Sequence, residues 1–172
     1  MEKLYSLSFK QIRTYLFAAV FIAGNLLLPF AVHHLPPMYT GAPNNGVIWL
    51  PIYFFTLIAA YKYGIQVGLL TAVLSPTINC LLFGMPMLAS LPIIMVKSVL
   101  LALAAAFFAH KAGKISLLAI LSTVLAYQLA GSSIEWIGSG FTNAFNEFRF
   151  GFPGMLLQVF GGYLVLKALA KI

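Results

Sequence analysis

The chain has 172 residues, 62% of them hydrophobic and 8% charged, with ten Lys and Arg against three Glu, no Asp and a formal net charge of +7. A soluble domain of this length typically carries about 25% charged residues, so the composition excludes an ordinary water-soluble globule and points to an all-α integral membrane protein. The positive balance does not describe a nucleic-acid surface, because the basic residues fall between apolar segments, where topology signals lie.

A spanning helix needs roughly 20 apolar residues, and six such segments are expected within a single domain, 1–172: 11–34, 46–63, 64–83, 91–110, 115–137 and 153–169. The opening MEKLYSLSFKQIR runs into the first segment without a small-residue cleavage site, so that segment is expected to be a retained helix. Little more than Gly64 separates the second and third segments, which predicts a tight hairpin. The single cysteine excludes an internal disulfide. With both termini inside, the cytoplasmic side receives Lys3, Lys10, Arg13, Lys62, Lys111, Lys114, Lys167 and Lys171, and the outer side receives only Arg149. This is the asymmetry the positive-inside rule expects. The stretches 35–45, 84–90 and 138–152 then face outward as loops, which places binding chemistry on that side.

Few residues carry chemistry. The stretch SPTINCLLFGMP holds Pro76, Asn79 and Cys80 inside the third segment. Pro76 removes a helix donor, and Asn79 has an amide for a freed carbonyl or for a ligand. Cys80 lies about one turn below the outer end. A thiolate there suits a transition metal, while a free cysteine also serves as a small buried hydrophobe. Lys97 is the one cation well inside a segment, and an intramembrane charge faces a cavity or a partner; Glu135 is its natural partner, in a structural pair or in a ligand-facing role. His33 and His34 end the first segment and are weaker metal candidates, without the spacing of a structural zinc site. The outer stretches collect Tyr39, Asn44, Asn45, Trp136, Phe141, Asn143, Phe145, Asn146 and Arg149. Aromatics with amides fit a large, partly apolar ligand, and they also fit an interfacial belt. Ala19 and Ala23 share one face of the first segment, where small residues admit a closely packed helix of this chain or of a partner.

The stretches TYLFAAVFIAGN, APNNGVIWLPIYFFTLIAAYKYG, IQVGLLTAVLSPTINCLLFGMP and RFGFPGMLLQVFGGYLVL resemble the S-components of energy-coupling-factor vitamin transporters. The resemblance is diffuse, covers nearly the whole chain and is most specific across the second and third segments. It implies a six-helix vitamin-binding subunit in a prokaryotic plasma membrane, working with a transmembrane coupling subunit and two ATPase subunits. It also implies that Ala19 and Ala23 dock on the coupling subunit. Within the family the chain is similar to the cobalamin-specific group, which implies cobalamin as cargo and Cys80 as its cobalt ligand, with no cofactor of the protein's own. The expected role is transport rather than catalysis. The chain has no phosphate-binding loop, so energy must come from a partner. A membrane enzyme would need converging catalytic residues that are missing here, and a sensor would usually bring an output domain.

Overall fold

The computed structural model describes residues 4–36 and 43–171; Tyr39 lies outside the described residues. The described chain is helical: α1 (Ile12–His33), α2 (Asn45–Trp49), a 3-10 turn (Pro51–Tyr53), α3 (Phe54–Tyr63), α4 (Ile65–Phe83), α5 (Leu91–Ala112), α6 (Leu117–Ser139), α7 (Phe141–Phe150), α8 (Phe152–Leu156), a π turn (Leu157–Gly161) and α9 (Gly162–Leu169). Five helical stretches among the described residues are long and apolar enough to cross a bilayer: Ile12–His33, Ile65–Phe83, Leu91–Ala112, Leu117–Ser139 and Phe152–Leu169.

The expected second span, 46–63, is not one continuous helix. Asn44 caps α2 by accepting the Val47 N–H at 3.0 Å. Pro51 then disfavours right-handed helix at the residue before it, and Leu50 takes a left-handed backbone with φ 47°. The chain restarts as the 3-10 turn and continues as α3. In α3 every residue but Phe55 is buried. It packs against α1, α4, α5 and α9, so it is the axis of the bundle and has no lipid-facing side. The outward stretch 138–152, expected as a loop, is instead the end of α6, the helix α7 and the start of α8.

Two close approaches hold the broken segment in place. A Cβ on Gly154 of α8 would lie 2.5 Å from the Trp49 carbonyl carbon, so only glycine lets α8 cross the break so closely. On the other side, Gly64 is the single residue between α3 and α4, with φ 95°, and the expected hairpin forms there. A Cβ on Gly68 of α4 would lie 2.4 Å from the Ala60 Cβ and 2.9 Å from its Cα.

The helix ends sort by charge. One end gathers the start of α1, the α3–α4 junction, the α5–α6 turn and the end of α9, tied by Tyr5 N–H to the Lys62 carbonyl at 2.7 Å and by the Tyr61 hydroxyl to the Lys114 carbonyl at 2.9 Å. The buried Lys62 ammonium donates to the Leu169 carbonyl at the same end. This is the basic end. The opposite end carries α2, α7 and the α4–α5 connection.

Gly68→Ala is expected to destabilise the protein by about 1–3 kcal/mol, because the added methyl meets backbone rather than a movable side chain. Thermal unfolding of the detergent-solubilised protein checks this: a lower midpoint is expected for Gly68→Ala and an unchanged one for Gly138→Ala, where a Cβ meets nothing within 4 Å.

Candidate functional site

Lys97, on α5, is fully buried. Its Nζ donates to Glu135 Oε2 on α6 at 2.6 Å and to Glu147 Oε1 on α7 at 2.6 Å. Two of the chain's three acidic residues therefore converge on Lys97. The pairing of Lys97 with Glu135 follows the sequence expectation, whereas Glu147 was not anticipated. Its signal was present: Ala144, Glu147 and Phe148 recur at the three- and four-residue spacing of one helix face, with Ala144 buried and the other two half-buried. Gly131, one turn before Glu135, makes the approach possible, since a Cβ there would lie 2.6 Å from Lys97 Cγ.

With both carboxylates ionised the cluster carries one excess negative charge. Burial raises the Glu147 pKa above its ordinary 4.5, and a hydrogen bond shared with Glu135 raises it further against the attraction of Lys97. Glu147 therefore takes up a proton at a higher pH than a solvated glutamate would, which relieves the excess charge.

Several buried polar atoms on α5, α6 and the elements packed with them have no hydrogen-bond partner. Ser98 follows Lys97 on α5, and Gln128 and Ser132 lie on α6 within two turns of Glu135. The Ser98 and Ser132 hydroxyls and both amide atoms of Gln128 are buried with no hydrogen-bond partner. The Tyr53 hydroxyl is likewise unpartnered, with its ring 5.6 Å from that of Tyr127. Tyr127 donates to Gln158 Oε1 at 2.9 Å, leaving Gln158 Nε2 unpartnered. Unsatisfied buried polar groups are costly, and native structures hold few of them.

A second polar network surrounds Asn79. Its amide donates to the Asn25 carbonyl of α1 at 2.8 Å and to the Ser75 carbonyl at 3.0 Å. Asn25 in turn donates to the Thr56 hydroxyl at 3.0 Å and accepts the Phe55 N–H at 3.1 Å. The Asn79 amide is thus engaged in joining α4 to α1. Its neighbour Cys80 is half-buried on the last turns of α4 and is a free thiol.

The remaining candidates are spread over the end opposite the basic one. Asn44 serves as the α2 cap. Asn45 is buried, and its amide donates to the Leu35 carbonyl at 2.8 Å, fastening the end of α1 to α2. His33 lies against Gly46, and His34 Nδ1 is 2.7 Å from the Phe30 carbonyl oxygen. Trp136, Phe141 and Phe145 form an exposed aromatic row with ring centroids 5.4 and 5.9 Å apart. Arg149 is exposed, with its guanidinium 5.8 Å from the Phe150 ring. Ala19 and Ala23 are exposed on the outer face of α1, beside Leu16, Val20 and Leu27. No group of three His, Cys, Asp or Glu able to hold a bare metal ion occurs among the described residues.

Compared with family models, curated proteins and solved structures, the chain matches none.

Lys97→Met would strand two carboxylates in the interior and is expected to cost about 3–5 kcal/mol. Glu147 should also give stability a pH slope. Because its folded pKa lies above the unfolded value, the folded state binds more protons in that interval, and stability rises as pH falls from the folded pKa toward 4.5. Denaturation midpoints measured across this range should show the slope in the native chain and its loss in Glu147→Gln.

Proposed function

We propose that this chain is the ligand-binding subunit of a vitamin uptake system of the energy-coupling-factor type, with cobalamin as cargo and Cys80 as the cobalt ligand. The observation that carries the ligand assignment is which candidates the fold has already engaged. Asn79 joins two helices, Asn45 fastens α2, Asn44 caps it and Lys97 is neutralised by two carboxylates. Cys80 keeps a free thiol near the end where aromatics and amides collect. A soft sulfur donor suits cobalt, and binding would favour the deprotonated thiol.

The membrane-facing side of α1 supports the partner half of the reading. Ala19 and Ala23 face outward among larger apolar residues, a surface on which a partner helix can approach closely. The proposed sequence of events is capture at the end carrying α2 and α7, taken as extracytoplasmic, then reorientation driven by the coupling subunit and its two ATPases. The chain is taken as resident in a prokaryotic plasma membrane, with both termini cytoplasmic.

A second reading keeps the uptake role and changes the cargo to another vitamin or precursor, with Cys80 as packing. The unpartnered amide of Gln128 and hydroxyl of Tyr53 in the buried interior favour it, because they could recognise a smaller polar molecule.

Cobalamin titrated into the purified protein should change the absorption spectrum of the bound corrinoid in the native chain. Cys80→Ser should remove that change and weaken binding by roughly tenfold or more, about 1.4 kcal/mol. An identical spectrum and affinity in the variant would exclude cobalt ligation. Calorimetric binding of a small vitamin with no response to cobalamin would establish the second reading.

A further inference from the structure

Helix α7 connects the ends of two apolar stretches long enough to cross a bilayer, Leu117–Ser139 and Phe152–Leu169. Its 10 residues extend about 15 Å, half of a hydrocarbon core of roughly 30 Å. A helix of that length cannot span, and its neighbours fix both of its ends at the boundary between lipid and water. Gly140, with φ 88°, ends α6 and lets the chain turn into α7. Independently of the uptake reading, we propose that α7 is an interfacial helix bound to the phospholipid surface at this end of the bundle, with Trp136, Phe141 and Phe145 set among the first acyl carbons and Arg149 at the level of the phosphates.

With about 3.6 residues per turn, α7 has three sides of different chemistry. Ala144, Glu147 and Phe148 turn toward the bundle, where Glu147 Oε1 meets Lys97 Nζ at 2.6 Å. Phe141 and Phe145 lie on one flank, both exposed, with ring centroids 5.9 Å apart and planes 21° from parallel. Phe141 also meets the Trp136 ring of α6 edge-on at 5.4 Å, so the row runs from one helix onto the next. Thr142, Asn143, Asn146 and Arg149 form the other flank. Asn143 donates its amide to the Ser139 carbonyl at 2.8 Å, which ties this flank back to the end of α6. An apolar flank beside a polar one, on a helix fastened to protein by its third side, is the pattern of a helix lying at a membrane surface.

Continuity selects lipid as the occupant. Leu125, Leu129 and Trp136 recur along an exposed side of α6, and Phe152, Leu156 and Phe160 recur every four residues along the stretch that follows α7. Both stripes belong to stretches that can cross a bilayer. Phe141 touches the first stripe through Trp136. Phe145 stands seven residues, about two helical turns, before Phe152, and the backbone between them at Gly151 is helical. The aromatic row therefore extends an apolar surface that lipid already meets. Aromatic rings near the glycerol level are favoured at this boundary. The exposed Arg149, whose guanidinium lies 5.8 Å from the Phe150 ring, can rest its stem on apolar surface and keep its head in the polar layer. The bilayer and the ion cluster then hold α7 from two sides, one through the aromatic flank and the other through Glu147.

The test is the native chain in phosphatidylcholine nanodiscs, footprinted from the water side with hydroxyl radicals and from the lipid side with two photoactivatable phosphatidylcholines. One carries its diazirine near the glycerol and the other at the end of the acyl chain, and tandem mass spectrometry reads the modified residues. Trp136, Phe141 and Phe145 should oxidise roughly tenfold more slowly than in a free peptide of residues 134–152 in water, because lipid excludes water. They should take label from the glycerol-level probe about threefold more than from the chain-end probe. Oxidation at the free-peptide rate would place the row in water and overturn the proposal. Protection without label from either lipid would show the row covered by protein and overturn it equally. Stronger labelling from the chain-end probe would put α7 in the hydrocarbon interior and overturn the interfacial depth. Arg149→Glu, which sets a carboxylate against the phosphates, should lower the glycerol-level label on Phe145 about twofold, and an unchanged label would overturn the Arg149 contact.

Discussion

A bilayer interior offers a polar side chain no water, so each polar group placed there must find its partner within the protein. Two separate networks answer that constraint for the side chains they hold, while buried atoms such as those of Gln128 and the Tyr53 hydroxyl stay without partners. Asn25, Thr56, Ser75 and Asn79 join α1, α3 and α4. Lys97, Glu135 and Glu147 join α5, α6 and α7. Between them runs α3, buried on almost every side, which packs against both α1 and α5. Apolar contact gives little preference between neighbouring helices in lipid, so hydrogen bonds and ions at fixed positions specify which helices meet.

The two networks differ in how completely they satisfy their members. The Asn79 network is closed through its amides. The Lys97 cluster has one cation for two carboxylates, and buried hydroxyls and amides on the same helices, α5 and α6, lack partners. A region of this kind is less settled than the rest of the core, and such departures from local consistency are expected near functional positions. Glu147 links the cluster to α7, a short helix whose exposed side carries Phe141 and Phe145. Packing at this end and ionisation in the interior are therefore connected through one carboxylate.

The polarity of the molecule follows from the same separation of charge. Both described carboxylates are drawn to Lys97, and the described side chains that carry charge at the other end are basic. A basic loop sequence reads first as a topology signal, but in the folded chain the α5–α6 turn, α9 and the N-terminal arm arrange some of those charges around a cleft.

The amino-acid sequence by itself determined the helical class, five of the six expected apolar spans as long helices, the Gly64 hairpin and the meeting of Lys97 with Glu135. These follow from composition, apolar run length and the rarity of charge in an apolar chain. Two local features were present in the sequence and left unused: Pro51, which marks the break in the expected second span, and the spacing of Ala144, Glu147 and Phe148 on α7. Only the tertiary structure decided that Asn79 serves α1, that α3 is the buried axis, that Glu147 completes the ion cluster and that a cleft opens at the basic end. The physical reason is that each depends on which helix faces which. That choice is made by close approaches such as Gly68 on Ala60 and Gly154 on Trp49, between residues that no periodicity along the chain connects.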